Sequence, residues 1–190
     1  MMTQGPLQLP RLEGSRVILR EWQPSDLAVI QEASQDALIP LITTVPSTAS
    51  EAEALAFVER QSERLESRAG YVFAIADAAD VAVGHIGLFF VSAAGARASV
   101  GYWIAPSNRR RGYAADALQA LTSWARMSDD LDRLELYVEP QNEGSWRAAE
   151  QAGYRREGLM RAWERVAGEP RDMFMYSQLT VRAAAAAINA

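Results

Sequence analysis

An α+β domain built on one mixed sheet is the fold class this sequence predicts, and three observations lead to it. Short apolar runs with a period of two follow one another through tight turns: Tyr71 to Ala76, Val81 to Val91, and a third run from Ser99 to Ile104. The third run passes into a helical pattern from Gly112 to about Met127 and then into another strand, Arg133 to Val138. Connections this short make that crossover right-handed and its two strands parallel. Two last runs, Tyr154 to Val166 and Asp172 to Leu179, flank a Gly168-Glu-Pro170 turn and form an antiparallel pair. The sheet is therefore mostly antiparallel with one parallel pair. With 190 residues the chain has room for one domain with a substantial core and is short for two.

In chain order, residues 1–10 read as a flexible lead-in and residues 11–180 as the domain. Arg16-Val-Ile-Leu-Arg20 is the first strand, closed by Trp22-Gln-Pro24. Ser25 or Asp26 then caps a helix whose apolar positions are Leu27, Val29, Ile30 and Ala33. Pro40 to Ser50, rich in Thr, Pro and Ser, reads as a loop. Ser50, or Thr48 before it, starts a second helix with Ala54, Phe57, Val58, Gln61 and Leu65 at helical spacing. Glu53, Glu59, Arg60, Glu63 and Arg64 fall on its solvated face. Turns at Asp77 to Asp80 and at Ser92 to Ala96 separate the next strands. In the third of these, Val100, Tyr102 and Ile104 alternate with Ser99, Gly101 and Trp103, and Pro106 ends the run. From Gly112 the period changes: Ala114, Ala115, Leu118, Leu121, Thr122 and Ala125 make one helix face, with Asp116, Gln119 and Arg126 turned away. Leu134, Leu136 and Val138 alternate with polar partners up to Pro140. Glu143 to Gln151 forms a short helix ended by Gly153. The alanine-rich tail, residues 181–190, reads as a frayed helix or disorder.

Composition excludes several chemistries. An apolar content of 49% with 23% charged residues is that of an ordinary globular protein. No apolar run reaches the length of a membrane span and no secretory leader is evident at the N-terminus, so a cytoplasmic location is expected. The formal charge, 19 − 24 = −5, provides no field to attract nucleic acid and mildly favours an amine substrate. All 19 basic residues are arginine, which removes phosphate-loop lysines and Schiff-base chemistry. Without cysteine there is no thiolate nucleophile, thiolate metal site or disulfide. His85 is the one histidine, so multi-histidine metal sites are excluded, and its place in Val83-Gly-His-Ile-Gly-Leu-Phe-Phe90 suits a strand residue with a structural hydrogen bond.

The meeting of the third strand with its helix carries the clearest chemistry. The first turn of a helix leaves backbone N–H groups unpaired at the positive end of the macrodipole, a natural anion site. Gly112 lets a phosphate approach, and Arg109, Arg110 and Arg111 add three charges beside it. Arg109-Arg-Arg-Gly112-Tyr-Ala114 resembles the Gln/Arg-x-x-Gly-x-Gly/Ala loop of the GCN5-related N-acetyltransferases (GNAT), which bind acetyl-coenzyme A there. About thirty residues on, at the spacing of a βαβ crossover, Asn142-Glu-Gly-Ser145 and Gly153-Tyr154 resemble the second half of that signature. The likeness extends from about Arg11 to Leu179. It includes Trp22-Gln-Pro24-Ser-Asp26 and Arg171-Asp172, which are similar to the ribosomal-protein-alanine N-acetyltransferase branch. A dinucleotide-binding fold is set aside, because this loop has one glycine where that fingerprint needs three.

The resemblance implies a GNAT fold of about seven strands, whose parallel central pair splays around acetyl-CoA, flanked by four helices. It also implies coenzyme contacts from Trp103, Ile104, Ala105, the segment Arg109 to Ala114 including Tyr113, Asn142 and Ser145, with no metal. The Ile104 N–H would bind the thioester oxyanion. Acyl transfer to an amine needs a neutral nucleophile, oxyanion stabilisation and a proton for the departing thiolate. Many relatives use a helix tyrosine as the acid, but that place is Ala149 here, and Ser145 is the substitute. Glu164 matches a strand glutamate assigned as general base, with a pocket beside Trp163 to raise its pKa; on its residues alone it reads equally as a surface partner of Arg161 or Arg165. Asn142 and Ser145 likewise read singly as turn and helix-start residues. The implied acceptor is a protein N-terminal amine or a small primary amine, with a small-molecule acyltransferase, a succinyl donor and a non-catalytic coenzyme-binding module as alternatives. No nucleic-acid or membrane partner is expected, and a homodimer is compatible.

Overall fold

A computed structural model describes residues 7–48, 50–91, 96–128 and 130–180. Among these, eight strands form one sheet in the order β1-β2-β3-β4-β5-β6-β8-β7. Their ranges are β1 Leu12–Glu13, β2 Ile18–Arg20, β3 Gly70–Ala76, β4 Ala82–Phe90, β5 Arg97–Ile104, β6 Arg133–Val138, β7 Arg155–Val166 and β8 Glu169–Leu179. The helices are α1 Leu27–Ser34, α2 Ile39–Ile42, α3 Glu51–Glu66, α4 Tyr113–Ala125 and α5 Glu143–Gln151. Every neighbouring pair of strands is antiparallel except β5 and β6, which run parallel. The strand order and the parallel crossover agree with the mixed sheet expected. Val72 to Ala76 are all buried because helices cover both faces of the sheet. One core joins Phe73, Ile75 and Leu134 to Leu118 and Leu121 of α4, and the other joins Ala74 and Trp103 to Ile30 of α1 and Phe57 of α3.

Several expectations need correction. The eighth strand is Leu12–Glu13, too short to show a period, which pairs with Ile18 and Leu19 as a hairpin. The fifth helix is the single turn Ile39–Ile42, inside a stretch read as loop. The Asp36 carboxylate starts it by accepting from the Leu38 and Ile39 N–H groups, both at 3.0 Å. The lead-in is not loose throughout: Leu7 is buried and its N–H donates to the Leu65 carbonyl at 3.1 Å. Residues 1–6 and the tail 181–190 lie outside the described residues, as does most of the turn after β4.

Asp116 is not turned away. It is buried in the first turn of α4, and its carboxylate accepts from the N–H groups of Ser15, Arg16 and Val17 at 3.0, 2.7 and 3.0 Å. The β1–β2 hairpin is thereby fixed beneath the start of α4. Gly14 makes the approach possible, since a Cβ there would lie 2.5 Å from a carboxylate oxygen of Asp116. A second buried tie joins Arg20 to Asp26 through two hydrogen bonds of 2.8 and 3.0 Å, with Arg20 also donating to Asp80 in the β3–β4 turn. Breaking such a pair costs about 3–5 kcal/mol, because one charge is left buried alone.

Candidate functional site

The parallel pairing of β5 and β6 lasts only three positions, Arg97–Arg133 to Ser99–Glu135. Beyond Ser99, β5 continues against β4, while β6 is held by β8. The Ala105 N–H donates to the Val83 carbonyl at 2.9 Å, on the β4 side. Since successive backbone groups of a strand point to opposite edges, the Ile104 N–H faces the gap where the two parallel strands have parted.

Two cavities open on that gap. The larger, about 690 Å³, is bounded by the first turns of α4 and α5 and the loop between β5 and α4. Trp103, Ile104, Arg109, Arg110, Gly112, Tyr113, Ala114, Asn142 and Ser145 all line it. Gly112 is the N-cap of α4 at φ 78°, a left-handed conformation that favours glycine. A Cβ there would meet no protein atom within 4 Å, so the space beside the helix start is open to a ligand. No side chain caps this helix, which leaves its first N–H groups available.

The three arginines do not act as one cluster. Arg109 donates to the Asp36 carboxylate at 2.7 Å and to the Ile104 carbonyl at 3.2 Å, so it braces the loop against the turn before α2. Burial pushes the Asp36 carboxyl up, but the N–H bonds of Ile39 and Leu38 and the charge of Arg109 outweigh it, and its pKa lies below the ordinary value. Arg111 is exposed, donates to the Ser107 carbonyl at 3.1 Å and does not line the cavity. Arg110 is exposed on the cavity wall and is the arginine free to meet a ligand anion. Ala105 is fully buried behind the floor and reaches neither cavity.

The smaller cavity, about 370 Å³, lies on the other side of the parted strands. The two share Ile42, Tyr102, Trp103, Asn142 and Ser145, so they meet at one point. There the Tyr102 hydroxyl donates to the Ser145 carbonyl at 2.7 Å and accepts from the Ser145 hydroxyl at 2.9 Å. The Asn142 side chain caps α5 by accepting from the Ser145 N–H at 3.3 Å. The helix-start reading of these residues and a place in the site thus hold together. Burial pushes Tyr102 up to about 12, against the lowering effect of its bond from Ser145, so the phenol keeps its proton at neutral pH. Sequence reading treated Tyr102 only as one of the alternating positions of a strand. Nothing local marks its hydroxyl, whose partner lies 43 positions away.

Glu164 reaches the smaller cavity through a bulge, in which the five residues of β7 from Met160 to Glu164 span the three of β8 from Met173 to Arg171. Ala162 takes φ 49° there, and its N–H donates to Asp172 at 2.8 Å. Among the described residues Glu164 forms no ion pair, so neither Arg161 nor Arg165 holds it. Trp163 does not wall it off: the indole is 48% exposed and stacks on Tyr137 at 5.5 Å. Further lining residues that sequence reading did not assign to the site include Arg64, His85 and Glu139. His85 lacks the structural hydrogen bond expected of it, since Nδ1 has no partner, and it is held instead by stacking on Trp103 at 5.9 Å and 6°. Burial, with the charge of Arg64, pulls its pKa down to about 3, which keeps the ring neutral.

The arrangement matches known proteins over most of its length. Residues 16–155 match the family model of the acetyltransferase (GNAT) domain. An uncharacterized N-acetyltransferase, p20, of Bacillus licheniformis is 26% identical over 165 residues, covering 86% of this chain and 93% of the relative. Among solved structures, Mycobacterium smegmatis RimJ in complex with a coenzyme A disulfide superposes with a TM-score of 0.78 at 22% identity over 97% of each chain. A putative ribosomal-protein-serine acetyltransferase of Vibrio cholerae gives 0.74 at 25% identity, over 90% of this chain and 99% of that one. With a parted parallel pair, an uncapped helix start behind Gly112 and a family match over residues 16–155, this chain belongs to the GNAT N-acetyltransferases.

Proposed function

We propose that the chain transfers the acetyl group of acetyl-CoA directly to a primary amine in a ternary complex, a protein N-terminal amine of the ribosomal-protein type being the first acceptor to test. The observation that carries this reading is the meeting of two cavities at Tyr102 and Ser145. A coenzyme laid along one side and an amine entering from the other would reach the same atoms. The diphosphate lies against the first turn of α4, with Arg110 beside it. The Ile104 N–H binds the carbonyl oxygen as it becomes an oxyanion. The amine nitrogen bonds to the thioester carbon and loses its proton to Glu164; the carbon–sulfur bond breaks, and the departing sulfur takes a proton from the Ser145 hydroxyl, whose O–H turns from Tyr102 to the sulfur and whose oxygen regains a proton from solvent. Tyr102, which accepts from that hydroxyl at rest and donates to the Ser145 carbonyl, holds the residue in place.

Two relatives named for ribosomal-protein acetylation support the protein acceptor. The modest size of the smaller cavity favours the second reading, a small free amine. Titration calorimetry with acetyl-CoA, followed by an acceptor screen read by free thiol release, tests the proposal. Binding should raise the thermal midpoint by mass action. No heat at millimolar acetyl-CoA would sink the coenzyme assignment.

A further inference from the structure

Acetylating a plain amine requires no cation in the acceptor cavity, yet Arg64 of α3 lines it. Sequence periodicity places this arginine on the solvated face; in the fold it is half-buried. Its guanidinium donates to the Gln61 side-chain oxygen at 2.9 Å and to the Thr44 hydroxyl at 3.2 Å, and it lies 5.3 Å from the Phe89 ring centroid. These partners are all neutral. Arg109 at the neighbouring cavity is paired with Asp36, and Arg133 of β6 with Glu135 and Glu157, whereas Arg64 meets no carboxylate among the described residues. Burial and the nearby positive charge of Arg60 both oppose its ionisation and hold its pKa below the ordinary value. A partly desolvated cation of this kind gains most from an anion brought by a ligand.

A second, independent feature lies on the same wall. His85 is 7% exposed, lines the cavity and has a ring nitrogen without a hydrogen-bond partner. The carboxylates in the lining, Glu139 and Glu164, come from the position just after β6 and from β7. The acceptor cavity therefore carries both signs of charge on different elements, a cation beside a neutral imidazole from α3 and β4 and two acids from the far strands. Building on the acetyl-transfer reading above, we propose that the acceptor is an amine that also carries a carboxylate, which Arg64 binds while the amine is directed toward Glu164 and the thioester. A carboxylate fits better than a phosphate. One planar guanidinium matches a single carboxylate in bidentate fashion, and two acidic residues in so small a cavity would repel a dianion. The carboxylate could belong to a free α-amino acid or to an acidic residue at a polypeptide N-terminus.

Thiol release from acetyl-CoA decides the matter with matched acceptors: free L-amino acids against their carboxamides, and C-terminally amidated dipeptides opening with aspartate against asparagine. The acid of at least one pair should exceed its amide in kcat/KM by about tenfold or more. Preference for free acids marks a small-molecule acceptor; preference for the aspartyl peptide marks a polypeptide. Arg64→Gln should raise KM for the favoured acid about ten- to a hundredfold, with kcat and the KM of the amide unchanged. Arg64→Lys should recover part of the loss. Acetyl-CoA affinity, which does not involve Arg64, reports whether each variant is folded; should Arg64→Gln fail that check, Arg64→Lys and the wild-type acid–amide pairs carry the test. Equal use of acids and amides, or an Arg64→Gln defect shared by both, overturns the carboxylate inference and leaves acetyl transfer standing. Acetyl-CoA binding without acetylation of any amine overturns both.

Discussion

The two cavities on either side of the Tyr102–Ser145 contact are built in different ways. The cavity proposed for the coenzyme is a main-chain site. Its shape comes from an uncapped helix start behind a left-handed glycine and from a strand edge left unpaired, while two of its three nearby arginines are occupied in bracing the loop. The cavity proposed for the acceptor is a side-chain site, assembled from Arg64 on α3, His85 on β4, Glu139 just beyond β6 and Glu164 on the β7 bulge. Backbone geometry suits a coenzyme handle that is the same in every reaction. Side chains, which can be exchanged without disturbing the sheet, suit the partner that varies.

The sharpest way to break this contrast is to remove the acid–base groups one at a time. Glu164→Gln should lower turnover about a hundred- to a thousandfold while acetyl-CoA affinity stays, because the residue lines only the acceptor side. Ser145→Ala should cost about ten- to a hundredfold, since water can partly replace a hydroxyl donor. A coenzyme analogue with a better leaving group should restore Ser145→Ala and leave Glu164→Gln slow. Equal rescue of both would show that the roles are misassigned, and unchanged turnover in Glu164→Gln would make it a bystander.

On the coenzyme side, Gly112→Asp places a carboxylate at the helix start and asks an ordinary residue to hold φ 78°. Calorimetry should show acetyl-CoA affinity reduced by about a hundredfold or more, with the circular dichroism of the fold retained. Normal binding would move the phosphate site elsewhere. A smaller effect is expected from the support beneath it. Asp116→Ala strips three backbone N–H groups of their acceptor and should cost about 2 kcal/mol of stability in a denaturant titration. A variant as stable as the parent would mean that water serves those groups equally well.

Main-chain features were legible because they are local. The change of period at Gly112 and the strand–helix–strand spacing are written in contiguous residues, and they located the parallel crossover and the strand–helix junction that bounds the larger cavity. Helical periodicity misplaced Asp116 and Arg64 for a common reason: it sorts polar residues outward, whereas each here meets a partner that the chain brings from afar. For Asp116 the partners are the N–H groups of residues 15–17, and for Arg64 the Thr44 hydroxyl and the aromatic ring of Phe89. The Ile39–Ile42 turn escaped notice because its cap, Asp36, stands three residues before it in a segment without apolar period. Tyr102 was indistinguishable from a core aromatic, since its hydroxyl matters only through a residue on α5.

The Asp116 contact also has a kinetic side. The carboxylate that steadies the start of α4 is satisfied by backbone 99 to 101 positions earlier in the chain. Closing so long a loop is slow relative to local helix formation, so the nucleus that forms first should lie elsewhere, with the hairpin docking later. During synthesis the first two strands must wait, unpaired with α4, until that helix has been made. Acquisition of the coenzyme pocket would then report a late event in folding, and a binding signal followed during refolding would time the docking of residues 15–17.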